Sequence, residues 1–169
     1  MEKFRIRLAR PEDMDSVRDM IQELADFEEM PDGPKISAED LKRDGFGDMP
    51  LFRCFIAESL EQSDPNKNLP ICYALTFISY STWEGKSLFL EDLYVKPEYR
   101  NKGVATDMIK FLAKLALREG SSRLDLHVLD WNPARKFYEK MGFTNLTEKE
   151  GWMFCRLTKG AMEKLENLP

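Results

Sequence analysis

Histidine is nearly absent from this 169-residue chain, because His127 is the only one. A metal centre built from several histidines is therefore excluded, and a Ser-His-Asp triad would depend on one residue inside an apolar strand. Cysteine is also scarce: Cys54, Cys72 and Cys155 lie far apart, without a CxxC pair. Three separated thiols do not make a disulfide framework, and they favour a reducing compartment.

The chain also lacks an excess of positive charge and a long hydrophobic run. It has 25 Lys and Arg against 30 Asp and Glu, which gives a net charge of -5. Nucleic-acid binding requires clustered basic side chains, so we expect no nucleic-acid partner. An acidic surface is compatible with a cationic substrate. Because no leader and no apolar run of about 18 residues is present, we expect no membrane partner and a cytoplasmic protein.

The composition that remains, 43% hydrophobic and 33% charged, is that of a globular protein. We predict a single domain over residues 1–169. Apolar alternation or runs predict strands, and helical spacing predicts helices. A strand meander followed by strand–helix–strand units indicates an α/β (α+β) fold, with a mixed, mostly antiparallel sheet of about seven strands and helices on both faces. The strands are expected at residues 3–9, 51–58, 70–81, 86–96, 122–129, 143–147 and 151–157, and the helices at 11–29, 37–44, 104–119, 132–141 and from 158 onwards.

Residues 86–119 carry the strongest chemical signal in the sequence. They comprise a strand, a short basic turn with the pattern R-x-x-G-x-A at residues 100–105, and an amphipathic helix. A helix that opens on a glycine-bearing turn presents unpaired backbone N–H groups and the positive end of its dipole. The turn therefore predicts an anion-binding site, to which Arg100 and Lys102 add positive charge.

The strand of this stretch contains two adjacent carboxylates, Glu91 and Asp92. Strict alternation places each of them in a mainly apolar row, on opposite faces of the strand. Desolvation in such a row raises the pKa of a carboxyl group and improves it as a base. A structural role, as the partner of an arginine or a backbone N–H, is the alternative for either residue.

Seven segments together resemble the GNAT acetyltransferase superfamily. The similarity extends over nearly the whole chain and is greatest to the spermidine/spermine acetyltransferase branch, including its thialysine-acetylating type. The segments are IQELADFE (21–28), DGFGDMP (44–50), YSTWEGK (80–86), LEDLYV (90–95), VLDWN (128–132), FYEKMGF (137–143) and EKEGW (148–152).

This resemblance implies an acetyl-CoA-dependent enzyme without a metal, in which a small-molecule amine attacks the thioester directly. It implies Tyr138 as the acid for the departing thiolate and a substrate-binding position for Glu91, which the apolar row also makes a candidate catalytic residue. It further implies a homodimer. The cofactor-binding residues implied are Leu93, Tyr94, Val95, Arg100, Asn101, Lys102, Gly103, Val104, Ala105, Thr106 and Asn132, and the substrate-binding residues are Phe27, Glu28, Glu91, Asp125, Leu126, His127 and Glu150.

Three features qualify these assignments. The chain has one residue fewer between Asn132 and Tyr138 than the resembled relatives, which affects nearby cofactor contacts such as Arg135. His127 is more typical of a strand histidine with satisfied hydrogen bonds than of a catalyst. Tyr138, on an amphipathic helix, also fits a core aromatic residue.

The resemblance leaves the acceptor open among several amines. The turn Ser81-Thr82-Trp83 is similar to the thialysine type, whereas polyamine-type members carry Asp-Pro-Trp. We therefore expect a thialysine-like acceptor, with weak activity on spermidine and spermine. The alternatives are a spermidine/spermine acetyltransferase proper, an acetyltransferase for protein N-termini or lysines, and a catalytically silent CoA-binding module.

Overall fold

The computed structural model describes residues 3–61 and 68–166, so the predicted loop at residues 60–69 lies largely outside the described residues. Residues up to Asn132 form one compact unit, and residues from Pro133 onwards form another. The first unit contains β1 (Phe4–Leu8), α1 (Met14–Phe27), α2 (Ala38–Phe46), β2 (Arg53–Ser59), β3 (Pro70–Ser81), β4 (Gly85–Val95), α3 (Val104–Arg118) and β5 (Leu124–Leu126). The second contains α4 (Ala134–Lys140), α5 (Leu146–Glu150) and α6 (Lys159–Glu166).

The sheet of the first unit has the order β1-β2-β3-β4-β5. Neighbouring strands are antiparallel up to β4, and β5 pairs with β4 in parallel. This confirms the predicted mixed, mostly antiparallel sheet. A parallel pair requires a crossover connection, which α3 supplies.

Helices cover both faces of this sheet, as predicted. Buried side chains of α1, α2 and three strands form one core: Ala9, Met14, Val17, Met20, Leu41, Cys54, Ile56, Tyr73, Leu75 and Tyr94. On the opposite face the Phe55 ring of β2 meets the Phe111 ring of α3 edge to face, with centroids 5.2 Å apart. The apolar faces predicted for the strands and helices are therefore packed against each other on both sides of the sheet.

The predicted number of strands was wrong, since the described residues contain five. Residues 146–150, expected at the end of one strand and in the following turn, form α5 instead. The Asn145 side chain accepts hydrogen bonds from the backbone N–H groups of Thr147 and Glu148, and Gly151 ends the helix at φ 77°. These local capping contacts favour a helix over a strand. The apolar residues at 152–157 pair with no strand in the described part of the chain.

An extra residue in β4 changes the direction of its side chains. Leu75 of β3 pairs with Asp92, but the next residue, Thr76, pairs with Leu90, so Glu91 is inserted as a β-bulge. Phe89 and Asp92 consequently lie on the same face, the one covered by α1. The prediction of two strictly alternating rows was therefore wrong from Glu91 onwards.

A buried ion network joins the first two strands to the start of α1. Arg7 donates hydrogen bonds to both oxygens of Asp13, at 2.7 and 2.9 Å, and to Glu58 at 2.7 Å. Arg5 also donates to Glu58. Burial alone would raise the pKa of Asp13 and of Glu58, but hydrogen bonds from these arginines, and from the Arg10 N–H to Asp13, outweigh it and lower both pKa values. The charges of the two carboxylates in turn raise the pKa of Arg7, chiefly through its hydrogen bonds to Asp13.

We predict that Arg7→Leu lowers the free energy of unfolding at pH 7 by about 3–5 kcal/mol, because two buried carboxylates lose their shared partner. The lowered pKa values stabilise the folded wild type above the ordinary carboxyl pKa, and this contribution is lost as pH falls through the folded values. The difference between wild type and variant should therefore shrink below about pH 4. Urea denaturation from pH 7 downwards measures it.

Lys42→Met is the control for this prediction, since Lys42 pairs with the exposed Asp15 and Glu39. It should cost about 1 kcal/mol or less. If both variants lost the same free energy of unfolding, the Arg7 network would not be stronger than the exposed ion pairs of Lys42.

Candidate active site

Three carboxylates lie close together where α1 ends over the second half of β4. Asp92 is half-buried on β4, and its electrostatic neighbours include Glu91 on the same strand and Glu28 just after α1. Burial raises the pKa of Glu28. Within the described residues, no ion pair joins Glu28, Glu91 or Asp92 to a lysine or arginine. The group therefore forms an acidic surface without a fixed counter-ion, which suits a cationic ligand.

The Asp92 carboxylate has a neutral hydrogen-bond donor. Tyr73 on β3 donates its hydroxyl hydrogen to Asp92 Oδ2 over 3.1 Å. Burial raises the pKa of Asp92 to about 6, with further contributions from the charges of Glu91 and Glu28, although the bond from Tyr73 acts in the opposite direction. A carboxyl group with such a pKa is ionised at neutral pH and accepts a proton more readily than an exposed one.

Glu91 differs from its neighbour because its side chain is exposed. The prediction that both carboxylates are desolvated in apolar rows therefore holds for Asp92 and was wrong for Glu91. The bulge explains the difference, since the inserted residue turns away from the row that packs under α1.

Aromatic rings and Arg100 border the acidic group. The rings of Phe27 and Trp131 lie 6.0 Å apart, and the Arg100 guanidinium lies 5.5 Å from the Phe27 ring centre and 5.4 Å from that of Tyr94. Arg100 Nε also donates to the Val95 carbonyl at 3.0 Å. Its side chain thus packs against the aromatic rings instead of extending from the turn.

The Tyr94 hydroxyl is hydrogen-bonded to Glu23 of α1. Burial and this carboxylate raise the pKa of Tyr94 to about 12. The phenol is therefore neutral over the physiological range, and Tyr94 links β4 to α1 beside the acidic group.

The glycine turn before α3 has the geometry of an anion site. Gly103 has φ 88°, and a Cβ built there meets nothing within 4 Å. It precedes α3 without a side-chain cap, so the first-turn N–H groups of Val104, Ala105 and Thr106 have no intrahelical partners. Asn101 is also left-handed, at φ 59°. Lys102 packs over the Tyr99 ring at 5.3 Å.

The second half of β4 has an open edge. β5 pairs only with Leu88, Phe89 and Leu90, so beyond this point no described strand flanks β4 on that side. Leu93 and Val95 lie in the segment beyond it, and such an edge allows an extended ligand to add as a strand.

The predicted residues of β5 lie beside the first half of β4. Asp125 pairs with Phe89 and accepts hydrogen bonds from Ser87, at 3.3 Å, and Arg123, at 2.8 Å. Leu126 pairs with Leu90. The exposed His127 ring contacts Phe89 edge to face, with centroids 4.9 Å apart. Asn132 is buried at the end of the first unit, and its N–H donates to the Leu129 carbonyl.

Two predicted site residues belong to the second unit. Tyr138 is half-buried on α4, with its ring 5.3 Å from Phe137 and 5.5 Å from Phe143. Glu150 ends α5 and accepts a hydrogen bond from the Trp152 indole at 2.9 Å. Arg135 of α4 donates to Glu148 at 3.0 Å, which is an ion pair within this unit.

Two residues of the site were not identified from the sequence. Tyr73 looked like an ordinary strand aromatic, and Trp131 appeared only as part of a matching segment. Neither lies near the carboxylates in sequence, so only the pairing of β3 with β4 and the contact with Phe27 reveal them. In the described part of the chain, no cluster of His, Cys, Asp or Glu is arranged to hold a metal ion, and no helix is long and apolar enough to cross a membrane.

Comparisons with known proteins agree with this architecture. The acetyltransferase (GNAT) family model matches residues 17–143. Thialysine N-epsilon-acetyltransferase from Bos taurus is 44% identical over 162 residues, which cover 95% of each protein. Spermidine/spermine N(1)-acetyltransferase-like protein 1 from Homo sapiens is 38% identical over 94% of this chain, but over 23% of its own length.

A solved structure supports the fold independently. An integron cassette protein from the mobile metagenome of V. cholerae superposes with a TM-score of 0.76 at 21% identity, over 99% of this chain and all of the other. The chain therefore belongs to the GNAT acetyltransferase family. It is an acetyltransferase, and acetyl-CoA is the acetyl donor of that family.

We predict that Gly103→Ala weakens acetyl-CoA binding by about tenfold or more, a loss of about 1.4 kcal/mol. The added methyl group would occupy the open space at the start of α3. Gly120→Ala is the control, because Gly120 follows the other end of α3, has φ 74° and is equally open. Both variants carry the same left-handed strain. Calorimetric titration with acetyl-CoA should show a loss of affinity in the first variant only; the same Kd in both would contradict the prediction.

Proposed function

We propose that this acetyltransferase transfers the acetyl group of acetyl-CoA to the primary amine of a small cationic acceptor, with a thialysine-like amine preferred over spermidine and spermine. The proposal rests on the acidic group of Glu28, Glu91 and Asp92, which has no cationic partner in the described residues. The relative from Bos taurus, similar over almost its whole length, supports the choice of acceptor.

The residues of the first unit fit acetyl-CoA. The glycine turn and the N–H groups of α3 from residue 103 to 106 suit a pyrophosphate, since anions bind readily at helix N-termini. The open edge of β4 at Leu93 and Val95 suits the pantetheine arm as an added strand. The cofactor, when bound, supplies the thioester that is attacked. Lys102 adds positive charge to the turn. Arg100 would stabilise the turn by the hydrogen bond from its Nε to the Val95 carbonyl.

The acceptor must lose a proton before it reacts, because a free alkylammonium has a pKa of about 10.4. We propose that Asp92 holds the ammonium and takes its proton, with Glu28 and the exposed Glu91 attracting the cation. The neutral nitrogen then attacks the thioester carbonyl carbon directly, forming the N–C bond as the C–S bond breaks. The new amide nitrogen then loses its remaining extra proton to solvent, and the departing thiolate takes up a proton to become the thiol.

We assign the proton that the thiolate takes up to the Tyr138 phenol, which is a hydrogen-bond donor, belongs to the F-Y-x-x-x-G pattern at the end of α4 and regains its proton from solvent. Phe27 and His127 would border the acceptor on the first unit, and Glu150 is retained as a substrate residue from the sequence alone. Asp125 and Leu126 are held in the pairing of β5 with β4, so we propose that they shape the site through that strand.

We predict that Tyr138→Phe lowers kcat by roughly 10²-fold, the usual size of a general-acid effect, and leaves acetyl-CoA affinity nearly unchanged. Phe143→Leu alters a ring contact of Tyr138 but keeps its hydroxyl, so most of the turnover should remain. Steady-state kinetics and calorimetry on both variants measure the difference. Unchanged turnover in Tyr138→Phe would return this residue to a packing role.

The hairpin between β3 and β4 provides the test of acceptor choice. The Ser81 hydroxyl accepts hydrogen bonds from the N–H groups of Trp83 and Glu84, each at 3.2 Å. Aspartate can make the same turn contacts and adds a negative charge for a second ammonium of a polyamine. An aspartate at position 81 would therefore add a negative charge to the turn and keep the side-chain oxygen that accepts the two backbone hydrogen bonds.

We predict that the wild type has a higher kcat/KM for thialysine than for spermidine. Ser81→Asp should raise kcat/KM for spermidine about tenfold, because a hydrogen bond to a charged group contributes about 1.5–3 kcal/mol. Ser81→Asn, which keeps the turn acceptor without the charge, should show no such gain. A higher kcat/KM for spermidine in the wild type would favour a spermidine/spermine acetyltransferase proper. Activity confined to peptides would favour a protein acetyltransferase.

Three further properties belong to this proposal. We propose that residues 1–169 act as a single domain. We also propose a homodimer, which the exposed Met153 and Phe154 of the second unit favour, since large exposed apolar side chains often mark contacts between proteins. A cytoplasmic location is proposed from the cysteines, all three of which are free thiols.

A further inference from the structure

Tyr73 occupies an unusual position for a core residue. Its side chain is fully buried among the apolar residues under α1. Its hydroxyl nevertheless donates to Asp92, one of the three carboxylates of the proposed acceptor site. Among the residues that the structure describes, the fully buried carboxylates are Asp13 and Glu58, and both are held by arginines. Asp92 is instead held by a neutral phenol.

We propose that Tyr73 is a positioning residue for acetyl transfer, which fixes the Asp92 carboxylate for the acceptor ammonium and keeps it ionised without neutralising it. The inference rests on the proposed function. A phenol donates one hydrogen bond and carries no charge at neutral pH. An arginine at this position would cancel the charge that attracts the substrate, whereas a phenylalanine would leave the carboxylate unsupported.

The pairing of β3 with β4 fixes the geometry of this contact. Asp92 lies opposite Leu75, and Tyr94 lies opposite Tyr73, with the two tyrosine rings 6.5 Å apart. All four side chains share the face under α1. Because the bulge at Glu91 places Asp92 on that face, the Tyr73 hydroxyl reaches Oδ2 from the adjacent strand. Both partners are held by paired backbone, so the carboxylate is oriented before a ligand binds.

The groups around Asp92 all oppose its ionised form or leave it unchanged, except Tyr73. Glu28, just after α1, contributes negative charge, whereas Glu23 of α1 is bonded to Tyr94. Glu91 adds another negative charge from β4. From β2, the Cys54 thiol is neutral, because burial and the charges of Asp13 and Asp92 raise its pKa to about 12.

The guanidinium of Arg100, which follows β4, is engaged by other groups. Arg100 is held by the Val95 carbonyl and two aromatic rings. The hydrogen bond from Tyr73 is therefore the contact that lowers the pKa of Asp92 against burial and repulsion.

Tyr73→Phe tests this inference, because it removes one hydroxyl and almost no volume. Without its donor the Asp92 pKa rises, so a higher pH is needed to ionise it. In the pH profile of kcat/KM for thialysine acetylation, at saturating acetyl-CoA, the acidic limb should move up by about one pH unit, the shift that corresponds to losing a charge-assisted hydrogen bond. The KM for acetyl-CoA should not change.

Thr76→Val is the matched control. Thr76 is buried on β3, the strand of Tyr73, but on the face opposite Asp92. Its hydroxyl donates to the Arg53 carbonyl at 3.2 Å. This variant also loses one buried hydrogen bond, but its acidic limb should coincide with that of the wild type. An unmoved limb in Tyr73→Phe, or equal loss of activity at every pH in both variants, would overturn the inference in favour of packing alone.

A second measurement separates this inference from the proposed function. The ¹³C signal of the Asp92 carboxyl group, followed by NMR titration of the free enzyme, should report a higher pKa in Tyr73→Phe than in the wild type and no change in Thr76→Val. If the wild type acetylated none of the amines, a shifted Asp92 titration would still support Tyr73 as the residue that sets its charge, and the proposed function would fail alone. An unshifted titration with normal thialysine activity would refute the inference alone.

Discussion

The insertion of Glu91 in β4 is the constraint on which the rest of the site depends. One extra residue shifts the register between Leu75 and Thr76, and every side chain after it changes face. Asp92 is thereby placed under α1, within reach of Tyr73, while Glu91 remains exposed. In the same strand the pairing with β5 stops at Leu90, so the bulge separates a closed half of β4 from an open half. The acidic group and the cofactor edge occupy the open half together.

In this arrangement, side chains supply the negative charge of the site and backbone N–H groups supply its hydrogen-bond donors. Charge comes from side chains whose positions the sheet and α1 determine, so the proposed acceptor site is formed mainly by packing. The proposed anion site comes from backbone, because the space at Gly103 is open and the first turn of α3 supplies N–H donors. The two sites meet at Arg100, which stacks on Phe27 and Tyr94 while bonded to the last residue of β4.

Much of the fold could be predicted from sequence because its elements follow local rules. The strand and helix periodicities, the Ser37 capping box of α2 and the glycine turn before α3 all act within a few residues. The failures have equally definite causes. A bulge leaves no mark in an apolar run such as residues 88–95, so alternation assigned Glu91 to the wrong environment. Residues 146–150 were expected at the end of a strand and in the turn after it, but the local caps favoured a helix.

The site was less predictable than the fold, because its key contacts join residues that are not close in sequence. The hydrogen bond between Tyr73 and Asp92 joins residues that are 19 positions apart, and no local sequence pattern predicts it. Motif similarity located the glycine turn and the carboxylates, but it did not distinguish the buried carboxylate from the exposed one. That distinction required the register of β3 and β4.

The network of Arg7 and Glu58 has a consequence for the order in which the chain is assembled. β1 is synthesised first, yet the carboxylate that it pairs with arrives 51 residues later. Loop closure over such a separation must precede any gain from the contact, so β1 stays an unpaired edge during early synthesis. Glu58 in turn would be buried on β2 without a counter-ion until β1 docks. β1 can therefore dock only after β2 has emerged, and its docking supplies the counter-ions that Glu58 requires.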